Sequence, residues 1–152
     1  MSFVFNLEPV LAHRERLEKE QQLVLATVMM KLRDAERYRD DLIARRDALR
    51  ERLSDHHAEM ELPELRAAYA HCDYLDREIV AQHDVVRRVS LEAEGERMKL
   101  VAATKDKRVL ETLKTRRRET FEAEAAAVER NSLDDINART FDRAQTHRET
   151  PR

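Results

Sequence analysis

Apolar residues recur along this chain at steps of three, four and seven, through long stretches with almost nothing to break a helix. In the first half they fall at Val10, Leu17, Val24, Val28, Leu32, Ala35, Leu42, Leu49 and Leu53. In the second half they fall at Ala68, Cys72, Leu75, Ile79, Val86, Val89, Ala93, Leu100, Ala103 and Leu110. Such spacing puts one apolar stripe on each helix and predicts a coiled-coil seam. The convincing interruption between the two halves is "SDHHAEMELPEL", where Pro63 disfavours helical geometry at Leu62 and suits the start of a new helix. The pattern predicts a first helix over about 6–60, a turn over about 56–63 and a second helix over about 63–135. Together these form one helical domain over 1–140, and the polar segment 141–152 is expected to be a disordered tail. Asn6 offers an N-cap, Glu8 suits the positive end of the helix dipole, and Pro9 falls in the first turn, where its missing amide proton costs nothing.

Folding the chain back at that turn tests whether the stripes match. Val28 then meets Ala93, Leu32 meets Val89, Ala35 meets Val86, Leu42 meets Ile79, and Leu49 meets Cys72. Each step forward along one helix is an equal step back along the other. Val10 with Leu110 and Leu17 with Ala103 extend the match with a shift of one residue. Polar layers interrupt it where Val24 faces Glu96, Arg39 faces Gln82 and Arg46 faces Leu75; such layers cost stability and fix register. Gly95 is a soft spot beside the first of them, at about 1 kcal/mol against alanine. The expected fold is all-α: an antiparallel two-helix coiled-coil hairpin, an elongated rod with the second helix longer and overhanging. At 1.5 Å per residue the helices would be roughly 75 Å and roughly 100 Å long.

This architecture explains why so polar a chain begins "FVFNLEPVL". Phe3 and Phe5 fall opposite residues 115–118, at the open end of the hairpin, and the other two phenylalanines, Phe121 and Phe141, belong to the overhang. Tyr38, Tyr69 and Tyr74 lie in the half nearer the turn, beside the seam, where they either anchor a partner or pack over its edge.

Composition supports few elements. Among 152 residues, 39% are charged and 5% aromatic, with one glycine and three prolines, too few turn formers for a globule. A net charge of −2 gives no general bias toward nucleic acid or anionic membrane. The single cysteine, Cys72, rules out an intramolecular disulfide and suits a reducing compartment; in the seam it acts as a small buried hydrophobe. No apolar run approaches the roughly 20 residues of a membrane span, and the N-terminus lacks the pattern of a secretory signal. The expected location is cytoplasmic.

Catalysis finds no footing. One glycine leaves no phosphate-cradling loop, and the carboxylates line a rod without a concave pocket. His56, His57, His71 and His83 lack the converging spacing of metal ligands and read as solvated histidines. No enzyme, metal or cofactor is expected. "KDKRVLETLKTRRR", residues 105–118, carries seven basic residues against two acids. It reads as a solvated face with local ion pairs or as a docking surface for an acidic protein. The acids of "ETFEAEAAAVE" follow at once, so a nucleic-acid partner is not expected.

The two ends also carry a resemblance. "FVFNLEPVLAHRERLEKE" is similar to the N-terminal pattern of the FliJ family of flagellar type III export proteins, through Phe3, Phe5, Leu7, Glu8, Val10, Leu11, Arg14 and Glu15. "DKRVLETLKTRRRETFEAEAAAVERNSLDD" resembles that family's C-terminal pattern, through Arg108, Leu110, Glu111, Leu113, Lys114, Arg117, Phe121, Glu124, Glu129, Leu133 and Asp134. Asn131-Ser132 departs from its acidic–basic run and leaves helix continuity there open. The resemblance implies a non-catalytic stalk that promotes assembly and turnover of the export ATPase hexamer. It further implies a link from that hexamer to the export gate at the inner membrane, and a part in handling export chaperones. Phe3, Phe5, Arg14, Arg108, Lys114, Arg117, Phe121 and Glu124 thereby become candidates for the ATPase ring; Tyr38, Tyr69 and Tyr74 are candidates for the gate on exposure alone. The alternatives are a generic coiled coil that dimerises without an intramolecular hairpin and, behind it, a basic-region DNA binder.

Overall fold

The computed structural model describes residues 2–146, with side chains to residue 140. Two helices account for nearly all of it: α1, Glu8–His56, and α2, Leu62–Thr146, of 49 and 85 residues, joined by a single 3₁₀ turn over His57–Glu59. The fold is the all-α antiparallel two-helix coiled coil that the stripes predict.

The turn is built as the proline requires. Met60 is extended, at φ −89° and ψ 140°, and α2 opens at Leu62 with Pro63 in its first turn. The Leu65 amide donates to the Glu61 carbonyl at 3.0 Å, an i→i−4 bond that opens the new helix, and Pro63 sits where a first-turn amide has no helical acceptor. At the other terminus α1 starts at Glu8, so Asn6 lies in the turn before the helix rather than at its cap. The Glu8 amide donates instead to the Phe5 carbonyl, at 3.0 Å. Downstream, Asn131-Ser132 does not interrupt α2, which passes the expected end near 135 and runs to Thr146. Both side chains are exposed there, so no packing opposes the helix. The tail beyond 146 and the side chain of Phe141 lie outside the described residues.

The contacts divide the chain into two units, residues 15–105 and residues 1–14 with 106–152. In the first, Leu42, Leu75 and Ile79 form one buried cluster, flanked by Ile43 and Leu49. Leu53, Ala68 and Cys72 form a second, closed by Leu49, Met60 and Leu65 beside the turn. Val28 and Ala93 are buried at 4% and 3% exposure. Leu32, Ala35, Val86, Val89, Leu100 and Ala103 are half-buried, as expected of a two-helix seam with one side of each layer open. Polar layers are satisfied within it. The Gln82 amide donates to the Ala35 carbonyl at 3.0 Å, and Arg46 turns outward to Asp47 and Asp76 at 2.7 and 3.4 Å. The Thr104 hydroxyl donates to Glu18 at 2.8 Å, and the Gln21 amide donates to the Glu96 carboxylate and carbonyl. Lys99 and Gln21 together hold the Glu96 carboxyl below its ordinary value.

One stretch of the stripe differs from the expected one. Val10, Leu17 and Val24 are 43%, 36% and 44% exposed, whereas Leu11 and Glu18 are buried and Leu25 half-buried. Stepping back from Val28 in strict alternation of four and three gives Leu25, Gln21, Glu18, Arg14, Leu11 and Leu7. The apolar alternative would take two successive steps of four at Val24, Val28 and Leu32, which slips the phase of the helix. Uninterrupted phase wins over local hydrophobicity because a slip would rotate every preceding layer off the seam. At Gly95 a Cβ would meet nothing within 4 Å, so close packing does not require a glycine there.

The seam sets a clear contrast for mutation. Ile79→Ala should destabilise the chain by about 2–5 kcal/mol in urea unfolding, because Ile79 is 5% exposed within the Leu42 cluster. Leu91→Ala, at a site 70% exposed, should change stability by no more than about 0.5 kcal/mol. Equal shifts would contradict the assigned seam.

Candidate partner-binding site

In the unit formed by 1–14 and 106–152, the residues ahead of α1 run as a strap against α2. Leu11, on the first turn of α1, is buried at 5%, and the chain reverses through Asn6-Leu7 to lay Phe5 down at 6% exposure. The Lys114 ammonium and the Arg117 guanidinium lie 6.0 and 5.9 Å from the centre of the Phe5 ring, at the outer reach of a cation–π contact. Beyond them Phe3 meets Phe121 with ring centres 5.8 Å apart and planes tilted by 52°, a favourable aromatic geometry. Alternation explains the arrangement: Phe3 and Phe5 point to the same side of an extended strap, and Lys114, Arg117 and Phe121 recur on one face of α2.

Ion pairs brace the cluster. Lys114 binds Glu8 at 2.8 Å, and Arg14 binds Asp106 at 3.0 Å. Both pairs are partly exposed, so each contributes at most about 1 kcal/mol. Lys114 therefore has two roles, stacking on Phe5 and anchoring the start of α1. Arg118 pairs along its own helix with Glu122 at 2.9 Å.

Of the ring-contact candidates, the structure brings Phe3, Phe5, Lys114, Arg117 and Phe121 into one cluster. Glu124 lines a shallow groove beside Phe3 and Phe121, together with Val4, Arg116 and Thr120. Arg14 reaches the unit through Asp106. Arg108 sits apart, in a groove with Val109, Thr112, Leu113 and Arg116. Sequence reasoning missed Asp106 as a partner and Glu8 as more than a dipole-compensating residue. Both lie at positions flanking the stripe, where facing opposite charges are the available signal.

Tyr38, Tyr69 and Tyr74, the gate candidates, are each about half exposed, at 50%, 50% and 49%. Tyr74 stacks on His71 with ring centres 6.1 Å apart and planes within 12°. Tyr69 lines a groove with Arg50, His57 and Asp76, and the buried Cys72 forms part of its wall. Among the described residues no three His, Cys, Asp or Glu side chains converge as a metal group, and no helix is long and apolar enough to cross a membrane.

A strap closing an aromatic–cation cluster onto the longer arm of a two-helix antiparallel coiled coil defines the class of protein. The family model described as "Flagellar FliJ protein" matches residues 3–146, beginning at the first strap phenylalanine, and the chain belongs to the FliJ family. Membership gives it a flagellar export-related role as a non-catalytic component. Neither a curated protein nor a solved structure matches it.

Phe5 is the keystone of the cluster. Phe5→Ala should remove on the order of 3 kcal/mol of local stability and speed hydrogen exchange at the Glu8 and Leu11 amides by roughly a hundredfold. Val4→Ala, at a position 74% exposed, should leave those rates unchanged. Equal protection in both variants would show that Phe5 does not hold the strap.

Proposed function

We propose that this chain is the central stalk of a flagellar type III export ATPase complex. It promotes assembly and turnover of the ATPase ring and links the ring to the export gate, with a part in handling export chaperones. The single observation that supports this most is the closed cluster of Phe3, Phe5, Lys114, Arg117 and Phe121. It presents aromatic edges and cations together on residues that also carry the family pattern.

In this reading the strap, α2 from Arg108 to Glu124 and Arg14 meet the ring. Exposed cations on a stiff helix pair can engage acidic loops of several subunits at once. They bias ring closure by binding the closed arrangement better than the open one, which is the only way a ligand can shift such an equilibrium. Tyr38, Tyr69 and Tyr74 meet the gate, since half-exposed aromatic rings supply large contact area at low entropic cost. The protein acts in the cytoplasm, peripherally associated with the export apparatus at the inner membrane, in flagellum biogenesis and hence motility.

The test is the hydrolysis rate and hexamer population of a cognate export ATPase, measured with and without this chain. The chain should raise both. Arg117→Glu, at an exposed site, should cut the stimulation at least tenfold while circular dichroism shows the helices intact. A folded chain that binds the ring and changes neither quantity overturns the stalk role.

A further inference from the structure

We infer that the overhang of α2 from Phe121 to Ile136 docks a basic amphipathic helix of another protein. Phe121 has Phe3 on one side; on the other, an apolar groove continues along Ala125, Val128, Ser132 and Leu133, with Glu124 and Glu129 in its lining. Val128, Leu133 and Ile136 are 69%, 53% and 54% exposed. A single helix with an uncovered apolar face draws little stability from its own backbone and gains by burying that face. Spacing makes the occupant a helix. The stripe of α2 steps through Leu110, Lys114, Arg117 and Phe121 in alternating fours and threes, and continued unchanged it would next take Glu124, Val128 and Asn131. The apolar face takes Ala125 instead, a second successive step of four, and then Val128 and Ser132. That slip of phase, just past the Phe3 contact, starts a second stripe with its own alternation, the spacing that a packed helix reads.

Charge selects the kind of helix. Helical spacing puts Glu124 and Asp135 along one border of the stripe and Glu122 and Glu129 along the other. From Glu119 to Ile136 the only basic residue is Arg130. It lies on the far side of α2 from the stripe, where its Nε donates to the Ala126 carbonyl at 3.3 Å. Glu122 is paired with Arg118 at 2.9 Å, whereas Glu124, Glu129 and Asp135 have no ion-pair partner among the described residues. Acids on both borders of an apolar stripe repel a second copy, a nucleic acid and an anionic membrane alike. They attract a helix that carries Lys or Arg on both flanks of its own apolar stripe. The long stems of such residues cover Ala125 and Val128 while their charges reach the carboxylates, and flanking charges of this kind set partner choice between paired helices.

This docking does not depend on the ring reading, since it is measured on the chain alone with no ATPase present. Fluorescence anisotropy tests it, with the full chain titrated against two labelled synthetic helices of about four turns that share a leucine stripe. One carries lysine along both flanks, the other glutamate. At about 0.15 M salt the lysine helix should bind with a dissociation constant on the order of 10 μM, at least tenfold tighter than the glutamate helix. Val128→Glu should weaken it at least tenfold, although it adds a charge that attracts lysine, with helix content unchanged because the site is exposed. Leu91→Glu, at an exposed site in the other unit, should leave binding unchanged. Glu124→Lys and Glu129→Lys together in one chain should reverse the preference toward the glutamate helix. No binding of the lysine helix up to about 1 mM, binding indifferent to Val128→Glu, or an unreversed preference would each overturn the proposal. A chain that doubles in mass on sedimentation without any probe, and stays single as Val128→Glu, would give the face to a second copy and overturn it equally.

Discussion

Everything in this molecule depends on a stripe of residues at alternating steps of three and four, carried by α1 and read in reverse by α2. Neither helix can support itself as a long isolated element, because helix propagation in water gains little per residue and most helical stability in proteins comes from a packed face. The seam supplies that face. Its layers are small: Leu42 packs with Leu75 and Ile79, and Leu53 with Ala68 and Cys72, while Val28 and Ala93 are each buried. Stability is therefore spread along many modest contacts rather than concentrated in one core, and continuity of phase matters more than the hydrophobicity of any single position.

The polar members of the stripe follow from the same constraint. Glu18, Gln21, Arg39 and Arg46 stand where phase demands a seam residue, and each is satisfied by what lies across or beside it. A wholly apolar stripe would pair with itself in several registers at similar energy. Polar residues that find their partners in one alignment exclude the others, at some cost in stability. At the strap the seam changes character. Phe5 and Phe3 replace helical layers with aromatic rings, and the charged ends of Lys114 and Arg117 lie over the Phe5 ring, Lys114 also pairing with Glu8. The result is a surface on which apolar edges and cations sit side by side, the mixture expected where a protein meets acidic and apolar groups of a partner.

Much of this was legible from the residue pattern alone. The hairpin, the turn at Pro63 and the layers from Val28 to Cys72 follow from spacing and from one proline. The convergence of Phe3 and Phe5 on the region ahead of Phe121 follows from register. From residue 10 to 24 the pattern of hydrophobicity points one residue off phase, because Val10, Leu17 and Val24 are more apolar than the Glu18 and Gln21 that the seam takes instead. Asn6 likewise has the chemistry of a cap but lies short of the helix start, since the chain uses those residues to turn the strap. The ion pairs Glu8–Lys114 and Arg14–Asp106 were beyond reach without the corrected phase, for a shift of one position moves every flanking charge to a different neighbour.

The most direct test of the central claim is an engineered disulfide across one layer of the seam, with Ala35→Cys and Val86→Cys introduced into a chain carrying Cys72→Ser. Oxidation should close the bridge within one polypeptide, giving a single-chain species on a non-reducing denaturing gel at every protein concentration. Bridges that form only between chains, or fail to form in a folded protein, would contradict an intrachain antiparallel seam.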